Sequence, residues 1–244
     1  MTLLTSRFIG PLGSRFPPSA RAAIRRRLNK LNGPRWGNLR RREPFSAYYG
    51  FDRGTPIDRF YIERFLAERA GDIRGTVLEV GNARYARAFR HSTPARVEIV
   101  DIDERNPDIT IHADLSESSS LPAERFDCFI LTQTLQLVTD VEAALYNAWQ
   151  GIAPAGVLLI SVPGITRSDP RDLTADRWRF TQSGLETLLA RTCSKGRWNV
   201  VGYGNLTSAL AFLMGLAAEE LSESELIHTD AHFPVAICAR VEKQ

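Results

Sequence analysis

The chain has 244 residues, 43% apolar and 24% charged, the composition of an ordinary soluble globular protein long enough to bury a full core. Its longest apolar run, Ala209 to Ala218, is too short to span a bilayer, and no apolar signal segment is evident near Met1. The net charge of +3 hides an asymmetry: Met1 to Arg42 contains eleven Lys or Arg and no acid, while the remainder has 20 basic and 28 acidic residues, a net of −8.

The expected organisation is a basic, partly disordered arm over residues 1–43 and one domain over residues 44–244. The arm is rich in Arg, Pro and Gly and includes Arg25-Arg26-Arg27 and Arg40-Arg41-Arg42. It reads as a solvated tail, as an attachment to anionic lipid or phosphate-bearing partners, or as an Arg-rich transit peptide. Cys128, Cys193 and Cys238 have neither metal nor disulfide spacing and are expected to be buried thiols of a reducing compartment. The expected location is cytoplasmic, with the arm allowing peripheral contact at the inner membrane surface.

Past the arm, Thr55-Pro56 predicts an N-cap followed by proline at the first helical position, and Tyr61, Ile62, Phe65 and Leu66 continue at helical spacing to Arg69. This helix is expected to fold over the carboxyl edge of a sheet. Strands are predicted over Thr76 to Val80, Arg96 to Val100, Ile109 to Ile111 and Phe126 to Leu131. Asp140 caps a helix with Val141, Leu145, Ala148 and Trp149 on one face and Gly151 as its stop. Gly156 to Val162 is almost wholly apolar, as expected of a central strand covered on both faces. Thr181 caps another helix with Leu185, Leu188 and Leu189 inward. Trp198 to Tyr203 and Pro234 to Val241 read as late strands, separated by an apolar helix from Leu206 to Leu221. This alternation predicts an α/β fold with a mainly parallel sheet and no internal repeat.

The ends of these strands carry the chemistry. Glu79-Val80-Gly81 closes the first strand, and Asp101-Ile102-Asp103 closes the second about one βαβ unit later. Glycine lets backbone approach a ligand, and a carboxylate at that distance accepts hydrogen bonds from a ribose diol. Asp101, the first acid at the strand end, is preferred to Asp103. Only one glycine is present, since Asn82, Ala83 and Arg84 follow, which argues against a pyrophosphate-bearing nicotinamide cofactor. Asp114 and Leu115 follow the third strand, where a carboxylate can bond an adenine amine or form an Asx turn. Thr132, Gln133 and Gln136 follow the fourth, at the edge expected to face ligand. After the fifth strand, Asp176 is a candidate base, and Trp178 and Arg179 offer a stacking face and an anion-binding fork or else anchor the loop. His228 and His232 flank Asp230 in a segment that reads as loop, so no metal site is expected. His91 and His112 are isolated.

In this order the motifs resemble the class I S-adenosylmethionine-dependent methyltransferases, and are similar to bacterial members associated with polysaccharide and secondary-metabolite genes. The resemblance covers Arg35 to Val241. It rests on Arg35-Trp36-Gly37-Asn38-Leu39-Arg40-Arg41, Phe51-Asp52-Arg53-Gly54-Thr55-Pro56-Ile57-Asp58-Arg59, the Val77 to Gly81 strand, Phe126 to Gln136 and Trp178-Arg179-Phe180-Thr181. It implies a Rossmann-like, mainly parallel seven-stranded sheet with helices on both faces, and S-adenosylmethionine as cofactor. Glu79 and Gly81, with Asn82, then line the cofactor's amino-acid end. Asp101, with Asp103 beside it, holds the ribose, Asp114 and Leu115 the adenine, and Thr132 and Gln133 the methionine side. Gln136, Trp178 and Arg179 are left for the acceptor and Asp176 for catalysis. Because the resemblance begins within the arm, it argues against a removable transit peptide. The chain departs from the family's usual Glu-x-Gly-x-Gly-x-Gly by keeping only Gly81.

The implied activity is methylation of a sugar, glycan or small secondary-metabolite hydroxyl. Sequence-specific nucleic-acid methylation is disfavoured, since no Asn/Asp-Pro-Pro-Tyr/Phe follows the fourth strand and no Pro-Cys nucleophile occurs. The alternative is a non-catalytic protein of this fold that contacts an anionic partner through its arm. A nicotinamide oxidoreductase is a weaker third reading.

Overall fold

The computed structural model describes residues 17, 19, 20, 22, 24, 26, 27, 37–90, 94, 96–169 and 173–244. The chain divides into two compact units, Met1–Arg42 and Glu43–Gln244. In the first, Ser19, Ala20, Ala22, Ile24, Arg26 and Arg27 are helical and Gly37–Leu39 makes one 3-10 turn. The expected disorder of the arm falls largely outside the described residues, as do Arg25, Arg35, Trp36, His91, Arg171 and Asp172.

The second unit is built on a seven-stranded sheet of β1 (Thr76–Val80), β2 (Arg96–Asp101), β3 (Ile111–His112), β4 (Phe126–Thr132), β5 (Ile152–Pro163), β6 (Gly196–Tyr203) and β7 (Ala236–Lys243). The strand order is β3-β2-β1-β4-β5-β7-β6. The first five strands run parallel, while β7 is antiparallel to both β5 and β6. The helices are α1 (Ile57–Glu68), α2 (Arg84–Ala88), α3 (Val141–Gly151), α4 (Gln182–Thr192), α5 (Leu206–Leu213) and α6 (Glu223–Ile227).

Successive strand residues point to opposite faces, and the core divides accordingly. Leu78, Phe129, Leu131, Leu158 and Ile160 pack on one face with Trp149 of α3 and Leu185 and Leu189 of α4. Their neighbours Val77, Cys128, Ile130, Val157 and Leu159 pack on the other with Tyr61 and Phe65 of α1 and Phe212 of α5. Burial on both sides is why β4 and β5 read as nearly unbroken apolar runs. The caps at Asp140 and Thr181 form as expected, with Asp140 accepting from the Ala143 N–H and Thr181 from the Gly184 N–H. All three cysteines are buried free thiols.

Several boundaries differ from the sequence reading. Thr55 does not cap α1; its hydroxyl donates to Glu219 Oε1 at 2.7 Å, and Pro56 occupies the N-cap position. α1 lies on a face of the sheet rather than over its edge, and Asp58 and Arg59 of its first turn reach the ligand edge. β3 begins at Ile111 because the Thr110 hydroxyl takes the Ile99 N–H at 2.8 Å, in place of a backbone carbonyl. The long apolar helix stops at Leu213: Gly215 adopts φ +72°, and Leu216 N–H returns to the Ala211 carbonyl at 2.9 Å. That is a glycine-terminated helix end. β7 starts at Ala236, two residues after Pro234.

Candidate active site

The carboxyl ends of β1, β2 and β4 meet where the strand order reverses, the place where open α/β sheets bind ligands. At the end of β1, Glu79 is 2% exposed. Its carboxylate accepts from Tyr85 N–H at 3.0 Å and Ala86 N–H at 2.8 Å, so it fastens the start of α2 beneath the turn. Burial pushes its pKa up to about 7 despite these two bonds. Gly81 takes φ +76°, which favours glycine, and a Cβ there would meet nothing closer than Asp101 Oδ2 at 3.9 Å. Ala83, where a Gly-x-Gly turn would place its second glycine, needs no such freedom. Ala83 has φ −99°, and the Asn82 side chain accepts from Arg84 N–H at 2.9 Å.

Asp101 ends β2. Its Oδ1 accepts from Asp103 N–H at 3.0 Å and its Oδ2 from Asn106 Nδ2 at 2.7 Å. The same Asn106 amide donates to the Gly81 carbonyl at 2.6 Å, tying the glycine turn to the carboxylate. Asn106 was not singled out in the sequence, where it is one polar residue in a polar loop. Asp103 does not line the adjoining cavity and pairs with Arg105 at 2.8 Å, which lowers its pKa to about 2.

A cavity of about 460 Å³ opens at this edge. Its polar rim includes Asp101, Asp114, Thr132 and Gln133, and its apolar wall includes Val80, Val100, Ile102, Leu115 and Val138. Asp114 also accepts from Ser116 N–H at 2.8 Å, the Asx turn foreseen for it. Glu79, Gly81 and Asn82 shape the turn but do not form the cavity lining. Arg177, unassigned in the sequence, does line it.

A second cavity of about 140 Å³ adjoins it, and Gln133 and Leu137 line both. Gln133 holds the left-handed φ of +47°, with its N–H on the Ser161 carbonyl at 2.9 Å. Gln136 Nε2 donates to the Gln133 carbonyl at 2.9 Å and to its Oε1 at 3.1 Å. Asp58, Arg59, Arg167 and Tyr49 enter this cavity from distant segments. Arg167 lies over the Tyr49 ring at 4.2 Å and donates to the Ala47 carbonyl. Burial raises the Asp58 pKa, only partly offset by Arg59.

The loop after β5 is arranged differently from expectation. Asp176 lines the small cavity, but Arg179 holds it in a bidentate pair with both distances 2.6 Å, which lowers its pKa. Arg179 further donates to the Trp178 and Arg167 carbonyls, so its fork is committed within the protein. Trp178 lines neither cavity; its indole N–H anchors the loop to the Val138 carbonyl at 2.9 Å. Among the described residues no group of three His, Cys, Asp or Glu could hold a metal ion. His232 instead pairs with Asp230 at 2.8 Å. No described helix is long and apolar enough to cross a membrane.

No family model matches the sequence, and no curated protein matches it. Solved structures do resemble its fold. An S-adenosylmethionine-dependent methyltransferase from Mesorhizobium loti aligns at TM-score 0.50 and 17% identity, over 75% of this chain and 98% of that one. One from Archaeoglobus fulgidus aligns at TM-score 0.50 and 14% identity, over 76% and 94%. The cyclase SpnF aligns at TM-score 0.51 and 15% identity, over 78% and 84%. Identities this low speak to fold, and a fold hosts more than one chemistry. With β7 antiparallel at the 5-7-6 end of the sheet and helices on both faces, the chain has the Rossmann-like fold of class I methyltransferases.

Proposed function

We propose that the protein is an S-adenosylmethionine-dependent methyltransferase acting on a hydroxyl of a sugar, glycan or small secondary metabolite. The observation that carries this reading is the pair of adjoining cavities with Gln133 in the wall of both. Two ligands held on either side of one residue are held close enough to react, and positioning is most of what this reaction asks of a protein.

The residues suit the cofactor. A carboxylate offers about four acceptor positions, and Asp101 uses one on each oxygen internally, leaving room for a ribose diol. Asp114 and Leu115 then face the adenine, and Thr132 and Gln133 the methionine side. When bound, S-adenosylmethionine supplies a methyl carbon activated by its sulfonium. Asp58 receives the proton that the acceptor hydroxyl gives up. Its Oδ1 is buried without a partner and burial raises its pKa toward the working range of a base. Asp176 is the poorer proton acceptor, because Arg179 stabilises its ionised form. The ordinary φ of Ala83 supports transfer over binding alone, since the backbone at that position does not call for the missing glycine.

Calorimetric titration with S-adenosylmethionine and S-adenosylhomocysteine tests the cofactor site. Micromolar binding is expected, weakened about tenfold or more in Asp101→Ala. No binding by the intact protein, or equal binding by the variant, overturns the assignment. Mass-spectrometric detection of a methylated hydroxyl among small acceptors then decides between transfer and binding alone.

A further inference from the structure

Unmet polar groups are concentrated around the smaller cavity. Among the described residues, seven buried side-chain nitrogen or oxygen atoms have no hydrogen-bond partner. Four of them, Asp58 Oδ1, Gln133 Nε2, Gln136 Oε1 and Arg167 Nε, belong to residues lining this one hollow. A buried polar atom that stays unmet is costly, so four in residues around one space point to an occupant.

The chemistry of that occupant follows from the four atoms. Asp58 Oδ1 and Gln136 Oε1 accept; Gln133 Nε2 and Arg167 Nε donate. Gln136 is 9% exposed and its amide nitrogen is engaged by Gln133, so its oxygen cannot exchange places with the nitrogen without losing those bonds. Hydroxyl groups satisfy both kinds of partner at once. The charged side chains of the lining balance, with Asp58, Asp169 and Asp176 against Arg59, Arg167 and Arg179, which favours a neutral ligand over a phosphate or an ammonium. The hollow of about 140 Å³ is open on one side, so it receives one face of a single ring and leaves the remaining substituents in solvent. Phe51, Phe212 and Pro163 provide apolar surface for its C–H faces.

Resting on the reading of the neighbouring cavity as the cofactor site, we infer that the small cavity is an acceptor subsite for one neutral polyhydroxylated ring, a monosaccharide unit or cyclitol. Asp58, Gln133, Gln136 and Arg167 read its hydroxyls. A planar phenol brings only one or two hydroxyls and leaves polar atoms of this set buried and unmet.

The test titrates the full chain, saturated with S-adenosylhomocysteine, with a panel of methyl glycopyranosides, with myo-inositol, and with catechol as the planar comparison. Calorimetry and saturation-transfer NMR give the readout. At least one polyol is expected to bind more tightly than catechol. Gln136→Leu and Arg167→Leu are each expected to weaken that polyol about tenfold, with S-adenosylhomocysteine affinity kept within about twofold in Arg167→Leu, which does not touch the cofactor cavity, as the check on folding. Binding of S-adenosylhomocysteine without any polyol, tighter binding of catechol, or polyol affinity unchanged in both variants overturns the inference. If S-adenosylhomocysteine itself does not bind, the cofactor reading fails separately, and the same polyol titration on the protein alone still decides the subsite.

Discussion

Glu79→Gln tests whether the buried carboxyl at the end of β1 gives folding a pH dependence. Glu79 is 2% exposed, and burial lifts its pKa from 4.5 to about 7 against the opposing pull of the Ala86 and Tyr85 N–H groups. Between these values the folded chain holds a proton that the unfolded chain has released. Stability therefore falls as pH rises through that window and levels off above it. At about 1.4 kcal/mol per unit, the loss reaches about 3 kcal/mol when the group is fully ionised. Glutamine cannot ionise, so the variant lacks this slope. It also replaces one acceptor oxygen with an amide group and leaves one helix N–H unmet, a pH-independent loss of about 1–3 kcal/mol. Near pH ~5 the wild type is expected to be the more stable, and near pH ~8 the gap closes or reverses. Urea unfolding at intervals across that range gives both midpoint and slope. A constant separation of the two proteins at every pH would refute the reasoning.

Asn106→Ala removes the amide bonded to both the Gly81 carbonyl and Asp101 Oδ2. It should weaken S-adenosylhomocysteine binding about tenfold by calorimetry, and unchanged affinity would count against a positioning role. Gly81→Ala and Gly215→Ala both place alanine at positive φ, but a Cβ at 215 would stand 2.4 Å from the Ser46 carbonyl oxygen, against 3.9 Å to the nearest atom at 81. The first should cost about 1–2 kcal/mol, about 2–8 °C in Tm, and the second distinctly more; equal losses in thermal unfolding would contradict this. Asp58→Asn should lower the methyl-transfer rate by about 10²–10⁴. It should also abolish the rise in rate with pH expected as the raised Asp58 carboxyl ionises, so a pH–rate profile identical to wild type would exclude it as the proton acceptor. Removing residues 1–32, which hold the Arg25-Arg26-Arg27 cluster, should weaken binding to phosphatidylserine vesicles and leave cofactor affinity unchanged. Equal vesicle binding in a sedimentation assay would end the lipid-arm reading.

The sequence by itself determined the parts that depend on neighbours along the chain. Strand burial on two faces wrote itself into Phe126 to Leu131 and Gly156 to Val162. The caps at Asp140 and Thr181 needed only the following turn. The pairing of Gly81 with Asp101 was legible because adjacent parallel strands bring their carboxyl ends together one βαβ unit apart. Gly215, which ends α5, is equally local, but the apolar run on both sides of it suggests a continuous helix.

Only the tertiary structure decided which polar side chains are spent and which are left over. Asp176 and Trp178 looked equipped for chemistry, but Arg179 and the Val138 carbonyl absorb them. In the sequence Asp58 is one residue of the Phe51-to-Arg59 stretch with no role of its own. It becomes a candidate base because packing buries its Oδ1 without a partner, in a cavity completed by Gln136 and Arg167. A side chain's availability is fixed by what surrounds it in three dimensions: the Asp176–Arg179 pair is local, three positions apart, but Trp178 meets Val138 across 40 positions and Asp58 shares its cavity with Gln136 and Arg167 from other segments of the chain, beyond the reach of any local pattern in the sequence.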